Sequence, residues 1–388
     1  MTEPAVTSDR VKRIAAELDF ALCGITEARP SDHADHVRDW LAAGKHGSMA
    51  WLADHLPQRL DPRVMLDGAR SIICVADDLG PSEPSPSQGE GRVRVSSSDN
   101  LSCPDSSPTP DDPTLTPSLS LQGRGGKIAR YAQFNDYHKI IKKRLHTLAD
   151  QLRESAPNEQ FRVCVDTAPV LEREHATRAG LGWVGKNTLL IQPRTPFRGS
   201  HLMLGEIITT LPLTPDRPEP DHCGTCTRCI DACPTDCITP YSVDASRCLS
   251  YLTIEHRGEI DPEFDAPLDD WLFGCDVCQD VCPYNRPGSD HEADPPEAYG
   301  SRPAALDLLT VLNWTPDDRI AALTRSAMKR AKLDQFKRNA LLVAANQHPL
   351  EPALRERIEQ LADDPDESEL VRRTAARCRD RLRGRLTD

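Results

Sequence analysis

The sequence has few aromatic residues, no long apolar run and no recognisable export signal. Aromatic side chains make up only 5% of its 388 residues, whereas proline occurs 33 times. This balance indicates that part of the chain does not pack into a core. No apolar run approaches the roughly 20 residues that a bilayer-spanning helix needs, so we expect no membrane association.

The first residues are not typical of a signal peptide. The segment MTEPAVTSDRVKRIAAELDF has no basic stretch followed by an apolar one, and no twin arginines. It predicts an amphipathic helix that begins near Ser8, with Val11, Ile14, Ala15 and Leu18 on one face. We therefore expect a cytoplasmic protein, in which 14 cysteines suit metal binding better than disulfides.

Residues 81–126 differ in composition from the rest of the chain. They contain 8 Pro, 11 Ser and 5 Gly and no aromatic residue, which predicts a disordered insertion with Cys103 as an unligated thiol. The remaining chain divides into three predicted domains. These are an α/β domain (1–80 and 127–215), a cysteine-rich domain (216–298) and a helical domain (299–388).

Apolar periodicity predicts the secondary structure of the first domain. Buried strands are expected at residues 71–76, 161–165 and 202–211, and a helix at residues 136–154 with Ile140, Leu145, Leu148 and Leu152 on its apolar stripe. Strands that alternate with helices favour a layered core, so the expected fold class is α/β or α+β.

The last 85 residues are predicted to be helical. Two segments, FKRNALLVAAN from Phe336 and LVRRTAARCRD from Leu370, are weakly related and lie 34 residues apart. They are compatible with a short helical repeat and equally with an ordinary helical cap on the core.

The cysteine spacing is the strongest chemical signal in the chain. Residues 223–234 read C-x2-C-x2-C-x3-C-P, the run that bacterial ferredoxins use for [4Fe–4S] clusters, and residues 275–283 read C-x2-C-x3-C-P. The crossed ferredoxin pattern predicts one cluster on Cys223, Cys226, Cys229 and Cys282, and a second on Cys233, Cys248, Cys275 and Cys278. Two zinc ribbons are the alternative, but they use paired C-x2-C knuckles rather than a triple run.

The other cysteines outside the insertion are expected to be small buried side chains. Cys237 follows Cys233 by four residues and is surplus to the eight predicted ligands. The remaining four, Cys23, Cys74, Cys164 and Cys378, lie among apolar or helical neighbours and are predicted to pack as hydrophobic residues.

Asp166 is the leading candidate for acid–base chemistry. It ends an apolar strand, where partial desolvation would disfavour the charged carboxylate and suit proton donation near neutral pH. The residues alone indicate equally well that Asp166 is the N-cap of a helix that starts near Pro169. The glycines at 180, 182 and 185 with Lys186 fit no phosphate-binding loop, and we expect them to let the backbone approach a large flat ligand.

Eight segments of the chain, taken together, resemble those of the epoxyqueuosine reductases. These are cobalamin-dependent iron–sulfur enzymes of the last step of queuosine biosynthesis in tRNA. The resemblance covers nearly the whole chain except residues 81–126. The matching segments are DPRVMLDGARSII (61–73), DYHK (136–139), VDTAPVLER (165–173), AGLGWVGKN (179–187), GSHLMLGEI (199–207), CGTCTRCIDACPTDCI (223–238), RCLSYLTIEHRG (247–258) and FGCDVCQDVCPYN (273–285).

The resemblance implies a fold, an activity and a set of site residues. It implies a cobalamin-binding α/β domain, a ferredoxin-like domain with two [4Fe–4S] clusters and C-terminal HEAT-like repeats. The epoxide of epoxyqueuosine would be reduced to the alkene, with cobalamin as the nucleophile, the clusters as electron carriers and Asp166 as the general acid. The implied cobalamin contacts are Arg59, Asp166, Leu190, Leu204, Ser250 and Asp276.

The chain departs from the family pattern at two positions. The usual CPTGAI reads CPTDCI here, so that Cys237 is one of the changed residues, and His201 replaces an aromatic residue that often follows the GS pair. Neither change removes a predicted cluster ligand. The second is a change near the implied cofactor contacts.

The net charge of −13 does not suggest an RNA-binding protein, but basic residues are clustered locally. Residues 325–338 and 371–384 each carry six basic residues and one acidic one, and residues 139–144 contain four basic residues. Charge runs are usually solvated helix faces, and the family resemblance makes them candidate tRNA contacts. The expected partners are therefore a tRNA with epoxyqueuosine in its anticodon loop and an external low-potential donor of the flavodoxin or ferredoxin type. We expect a monomer.

Three other functions are compatible with parts of the sequence. A plain electron carrier would need the clusters but not the segment around Asp166. Respiratory reductive dehalogenases combine a corrinoid with two clusters, but they generally carry a twin-arginine signal. A nucleic-acid repair enzyme with a structural cluster would need only one ligand set.

Overall fold

The computed structural model of the chain describes residues 6–80, 125–194, 199–285 and 295–384. Residues 81–124 of the predicted insertion, and Cys103 with them, lie outside the described residues. The last two residues of that predicted segment, Gly125 and Gly126, begin a β-strand instead. The insertion therefore ends two residues earlier than the composition suggested.

The described residues contain helices along their whole length, and the longest of these is α5 (Tyr137–Ser155) with 19 residues. In chain order they are α1 (Ser8–Glu17), α2 (Ala34–Ala42), α3 (Trp51–Asp54), α4 (Leu56–Leu60), α5 (Tyr137–Ser155), α6 (Glu172–Arg178), α7 (Arg228–Asp231), α8 (Leu249–Ile254), α9 (Val277–Asp280), α10 (Leu308–Leu312), α11 (Pro316–Ala322), α12 (Leu333–Asn346), α13 (Pro352–Asp363) and α14 (Glu369–Gly384).

The strands are short and are concentrated in the first 210 residues. In chain order they are β1 (Leu22–Glu27), β2 (Ser71–Asp78), β3 (Gly125–Ile128), β4 (Phe161–Cys164), β5 (Trp183–Val184), β6 (Leu190–Ile191), β7 (Leu202–Thr209), β8 (Ile238–Thr239), β9 (Ser242–Val243), β10 (Trp271–Phe273) and β11 (Ala305–Asp307). The three strands predicted from apolar runs correspond to β2, β4 and β7.

The central sheet of the N-terminal part is antiparallel. Its strand order is β1-β2-β7-β4, and each neighbouring pair runs in opposite directions. The layered core predicted from alternating strands and helices is therefore an α+β arrangement rather than a parallel α/β one. Strand order depends on pairings between distant segments, which the periodicity of each segment does not contain.

Successive residues of β2 point to opposite sides of the sheet, and both sides are covered. Ile73 and Val75 belong to the same apolar cluster as residues of α1 and α5. Ile72 and Cys74 belong to the opposite cluster, which includes Ala176 of α6. Every residue of β2 is consequently buried, as expected for a central strand between two helical layers.

Helix α5 matches the predicted helix closely, with one shift in its buried face. Leu145, Leu148 and Leu152 are fully buried, but the fourth position of the stripe is Ile141 rather than Ile140. Ile140 packs instead against a small cluster around Phe134. Helix α1 likewise starts where predicted, although its N-cap is Thr7 and Ser8 is the first helical residue.

Gly205 allows α5 to lie unusually close to the sheet. A Cβ atom at this position of β7 would come within 2.6 Å of Ile141 Cγ2 and 2.9 Å of Leu145 Cδ1. Only glycine fits without moving the helix, because real Cβ contacts do not reach such distances. The close approach fixes where the first turn of α5, which starts at Tyr137, stands relative to the end of β4.

A second sheet joins the three folded parts of the chain. It has the order β10-β3-β11, in which β3 pairs in parallel with β10 and antiparallel with β11. The largest apolar cluster spans the same regions, from Ile128 through Leu272 to Leu382. The cysteine-rich region and the helical tail therefore share one core with β3.

The C-terminal tail is helical, as predicted. Helix α14 packs on both α12 and α13, and the two related segments fall in α12 and α14. Cys378 is buried between them, with its thiol directed at the carbonyl of Leu341 at 3.5 Å. None of the helices in the described ranges combines the length and the apolar character that a bilayer crossing demands.

Substituting Gly205 by alanine should lower the free energy of unfolding by about 1–3 kcal/mol, because the added methyl group overpacks the α5 interface. Urea denaturation of the full chain measures this. Gly384→Ala is the matched control, since a methyl group added there would meet no other atom of the described residues within 4 Å. Equal stability of the two variants would show that α5 is not held at close range.

Candidate active site and cluster region

Asp166 lies at an open edge of the central sheet, just beyond the end of β4. Because Cys164 is opposite Glu206 in the β4–β7 pair, continuing that register by two residues would bring Asp166 opposite Leu204. Asp166 has a positive φ of 39° and its side chain is 50% exposed. It does not cap α6, whose N-cap residue is Leu171. The helix-cap alternative for Asp166 is therefore wrong.

A chain of charged side chains leads from Asp166 to the C-terminal part. His138 Nε2 is 2.8 Å from Asp166 Oδ2, and His138 Nδ1 is 2.7 Å from Asp136 Oδ1. The other oxygen of Asp136 forms an ion pair with the Lys329 ammonium group. Asp136 is 4% exposed and is also the N-cap of α5, where it accepts the backbone N–H of His138. His138 is thus held between two carboxylates.

The two carboxylates determine which of these side chains carries a proton. Burial alone would lower the pKa of His138, but its hydrogen bonds to Asp136 and Asp166 outweigh burial and raise it to about 9. Burial raises the pKa of Asp166, yet the hydrogen bond and charge of His138 overcome this and leave it below the ordinary value. At neutral pH the proton is therefore on His138. The expectation of a desolvated, protonated Asp166 is wrong for the free site.

Two further ionisable side chains, a carboxyl group and a guanidinium group, lie beside Asp166. Burial, followed by the charges of Asp166 and Glu206, raises the pKa of Glu172 to about 8, and its Oε1 has no hydrogen-bond partner within the described ranges. Arg59 is 7% exposed, its pKa is lowered by burial, and its Nε is likewise unpartnered there. Its guanidinium group stands 5.2 Å from the ring centroid of Trp51.

A cavity of about 310 Å³ opens next to these residues. Trp51, which is 41% exposed, lines it together with Arg330, which pairs with Glu255 and is 5.8 Å from the Trp51 ring centroid. Arg330 also lowers the pKa of Asp166 through its charge. The cavity therefore lies within electrostatic range of Asp166.

The other residues implied by the family resemblance are spread around this edge and the cysteine region. Leu190 and Leu204 pack in or against the apolar cluster on the α6 side of the sheet. Asp276 is buried, accepts the backbone N–H of Arg130 at 2.5 Å, and has its pKa raised to about 7 by burial. The backbone N–H of Ser250 donates to the sulfur of Cys248.

Tyr131 connects the two areas. Its side chain is partly buried, and the charges of both Asp166 and Asp276 add to the effect of burial in raising its pKa. The two carboxyl groups therefore face the same side chain, and Asp276 directly follows Cys275. The region that holds Asp166 is consequently adjacent to one group of cysteines.

The eight cysteines fall into two neighbouring groups. Cys229 and Cys282 each lie within electrostatic range of Cys223 and Cys226. Cys275 interacts in the same way with Cys233 and Cys248, and Cys278 with Cys275 and Cys248. Cys278 also interacts with Cys229, so the two groups are adjacent.

The thiols are grouped without converging on one point. Within the parts of the chain that the structure describes, no three His, Cys, Asp or Glu side chains could hold a single metal ion. A zinc site would need four ligands about 2.0–2.3 Å from one centre. The ligands of a cubane each bind a different iron atom and stand further apart.

Residues 179–187 hold the first cysteine loop in place. Trp183 donates its ring N–H to Cys223 Sγ at 3.4 Å, and Lys186 Nζ donates to the carbonyls of Gly224 and Cys226 at 2.7 and 2.9 Å. The glycines of this segment are approached by the chain itself, since a Cβ on Gly182 would lie 2.2 Å from the carbonyl oxygen of Ile191. The prediction that they admit a flat ligand is wrong for Gly182.

Sequence reasoning missed His138, Glu172 and the Trp51 cavity. His138 and Glu172 lie in the segments DYHK and VDTAPVLER, so their identity was visible. Their roles were not, because they depend on contacts with residues distant in sequence. Glu172 is six residues from Asp166, but its raised pKa reflects burial that no local pattern reveals.

Family models define the class of protein. A model described as "4Fe-4S double cluster binding domain" matches residues 222–285. A model described as "Epoxyqueuosine reductase QueG, DUF1730" matches residues 107–167, which include His138 and Asp166. The chain is thus an iron–sulfur oxidoreductase in which a double-cluster domain follows a second domain that carries the acidic site.

Curated relatives identify the family. An epoxyqueuosine reductase of Leadbetterella byssophila is 39% identical over 87% of this chain and 98% of its own length. One from Synechocystis is 39% identical over 83% of this chain and 98% of its own. The chain belongs to the epoxyqueuosine reductase family.

Solved structures of the same family share the fold. The epoxyqueuosine reductase from Streptococcus thermophilus superposes with a TM-score of 0.76 at 26% identity, over 96% of this chain and 89% of its own. An epoxyqueuosine reductase solved with a modified tRNA-Tyr stem loop gives a TM-score of 0.78 at 24% identity, over 97% of this chain and 90% of its own. The second comparison supports the fold alone.

The raised pKa of His138 makes the stability of the fold depend on pH. A group whose folded pKa exceeds its unfolded value stabilises the fold below the unfolded value and loses that effect as pH rises through the folded value. The free energy of unfolding of the wild type should therefore fall between about pH 6.5 and 9. A His138→Gln variant lacks this contribution at every pH, so its free energy of unfolding should not show that fall.

Urea midpoints across this pH range measure the effect. His146→Gln is the matched control, because His146 is an exposed histidine on the same helix. It should keep the wild-type profile. Parallel profiles for the wild type and His138→Gln would contradict a protonated His138.

Proposed function

We propose that the chain reduces the epoxide of epoxyqueuosine in tRNA to the alkene of queuosine, with Asp166 and His138 as the acid pair. The reaction consumes two electrons and two protons and releases water. The observation that carries the proposal is the pair of His138 and Asp166, whose side chains are 2.8 Å apart at a sheet edge that adjoins the cysteine groups through Tyr131. A protein that only carries electrons would not need His138 and Asp166 as a proton-donating pair.

The eight thiols fit two [4Fe–4S] clusters. Cys223, Cys226, Cys229 and Cys282 would hold one cluster, and Cys233, Cys248, Cys275 and Cys278 the other, in agreement with the crossed ferredoxin pattern. The ring N–H of Trp183 and the backbone N–H of Ser250 supply hydrogen bonds to ligand sulfurs, as outer-shell groups of metal sites commonly do.

The open sheet edge near Asp166 fits a large polar cofactor such as cobalamin. The buried guanidinium of Arg59 has an unpartnered Nε that suits an amide or phosphate oxygen. Leu190 and Leu204, with Ser250 and Asp276 on the cluster side, are the other proposed contacts. When bound, a reduced corrinoid supplies a carbon-directed nucleophile for opening the epoxide.

Asp166 would deliver the proton to the departing oxygen. In the free site the carboxylate is ionised because His138 bears the proton. Enclosing Asp166 under a bound substrate removes water and raises the pKa of the carboxyl group. The proton can then move from His138 Nε2 to Asp166 and on to the oxyanion, which is otherwise a poor leaving group. Glu172, with a pKa of about 8, is a second proton-bearing group beside the site.

The tRNA surface is proposed from exposed basic residues around the acid pair. Lys139, Lys142 and Lys143 are exposed on α5, and residues 325–332 pack beside the start of that helix through the backbone bond from Asp136 N–H to the Arg325 carbonyl. Exposed Arg325 and Lys332 extend the same surface. The half-exposed Trp51 ring would suit stacking by an unpaired base.

Several basic residues of the two predicted C-terminal patches form ion pairs or hydrogen bonds within the protein. Lys337 is buried in an ion pair with Glu367, and Arg338 is buried and donates to backbone carbonyls. On α14, Arg377 pairs with Asp265 and Arg379 with Asp363. We therefore propose the α5 side, rather than α14, as the main phosphate-binding surface.

The electron donor would dock at the exposed loop of the first cysteine group. Residues 224, 225, 227 and 228 of this loop are exposed, whereas the second group adjoins Asp276 and the acid site. An external flavodoxin- or ferredoxin-type protein would thus meet the first cluster before the second.

We further propose that the chain acts as a cytoplasmic monomer with the four-part division predicted from sequence, and that α12–α14 are HEAT-like.

Asp166→Asn should reduce turnover by about 10²–10⁴-fold, the usual contribution of a positioned general acid, while cluster and cobalamin spectra stay unchanged. Single-turnover conversion of epoxyqueuosine-containing tRNA by the anaerobically reconstituted, reduced enzyme measures this. Asp19→Asn is the matched control, because Asp19 is another exposed aspartate at positive φ, 62°. Normal turnover by Asp166→Asn with both cofactors bound would end the assignment.

Replacing Lys139, Lys142 and Lys143 together by glutamine should weaken tRNA binding and flatten its salt dependence. Each lost phosphate contact lowers the log–log slope by roughly 0.7–0.9. Binding titrations at several salt concentrations measure the slope. The control variant, Arg379→Gln with Arg383→Gln, removes α14 charges and should bind as the wild type does. The reverse pattern would move the RNA surface to α14.

A further inference from the structure

Cys237 is a ninth thiol within the cysteine region. It lies in the segment CPTDCI, is 5% exposed, and its sulfur is 3.5 Å from Cys233 Sγ. Cys248 is also within electrostatic range of Cys237. Cys233 and Cys248 belong to the same cysteine group, so Cys237 lies beside two proposed ligands of the second cluster.

The geometry does not suit Cys237 as an additional ligand. Cys233, Cys248, Cys275 and Cys278 already provide the four thiolates that one cubane takes. Each corner iron binds one protein sulfur, and Cys237 lies closer to Cys233 Sγ than two ligands of different irons would. A buried thiol that binds no iron keeps its proton and can donate it in a hydrogen bond.

A hydrogen bond to a ligand sulfur changes the reduction potential of a cluster. The reduced cluster carries one more negative charge than the oxidised one, so a donor to its sulfurs stabilises the reduced form more and raises the potential. Thr235 offers a hydroxyl 3.7 Å from Cys233 Sγ, and Cys237 adds a second side-chain group at the same sulfur.

We propose that Cys237 tunes the second cluster by donating its S–H to the ligand sulfur of Cys233, which raises the midpoint potential of that cluster. The proposal rests on the ligand assignment in the proposed function. It makes Cys237 a positioning and tuning residue rather than a ligand. It also gives a role to one of the residues at which this chain departs from the family motif.

Anaerobic redox titration of the cluster-loaded full chain, followed by electron paramagnetic resonance, tests the proposal. Cys237→Ala should shift one of the two midpoint potentials to a more negative value and leave the other unchanged, with iron and sulfide content as in the wild type. Cys237→Ser keeps a donor, so its midpoint potential should lie close to that of the wild type. Cys378→Ala, a buried cysteine among the C-terminal helices, is the matched control and should change neither potential.

Two results would overturn the proposal. Unchanged midpoint potentials in Cys237→Ala would show that the thiol does not affect the cluster. Loss of about half the iron in Cys237→Ala, with Cys378→Ala unaffected, would make Cys237 a ligand instead. Neither result depends on turnover, so a failure of the proposed reduction of epoxyqueuosine would appear separately, in the tRNA assay of the wild type.

Discussion

The geometry of the candidate active site depends on one buried carboxylate, Asp136. A buried charge is tolerated only when it is paired and hydrogen-bonded, and Asp136 obtains its partners from His138 on its own helix and from Lys329, 193 residues away. The same residue caps α5 and donates its backbone N–H to the Arg325 carbonyl at 2.6 Å. Docking of the C-terminal part therefore fixes the first turn of α5, and with it the imidazole that faces Asp166.

The close contact at Gly205 determines where that imidazole can reach. Ile141 is one turn beyond His138, so bringing Ile141 against β7 also brings His138 to the sheet edge where β4 ends. A protein with a larger residue at this position would keep its helix and its sheet but separate the two. The geometry of the acid pair is consequently a result of packing, and only the identities of its members are local.

Local patterns predicted the elements of this fold better than their arrangement. The strands β2, β4 and β7 and the helix α5 follow from apolar periodicity, and the eight grouped cysteines follow from spacing. The antiparallel strand order did not, because it depends on pairings such as Cys164 with Glu206. Counting charges along the sequence also failed to predict the exposed basic surface. Lys337 and Arg338 belong to a basic run, but both are buried, and the groups that they bind lie outside that run.

The position of the proton is the clearest case of a property that the sequence could not reveal. Asp166 ends an apolar strand, which alone argues for a protonated carboxyl group, and burial does act in that direction. His138, 28 residues earlier, reverses the outcome because it is stabilised as a cation by two carboxylates at once. An acid that is ionised at rest and linked to a charged imidazole can be recharged without solvent. In the proposed reaction, this pathway would deliver a proton to the departing oxygen while a bound substrate excludes water.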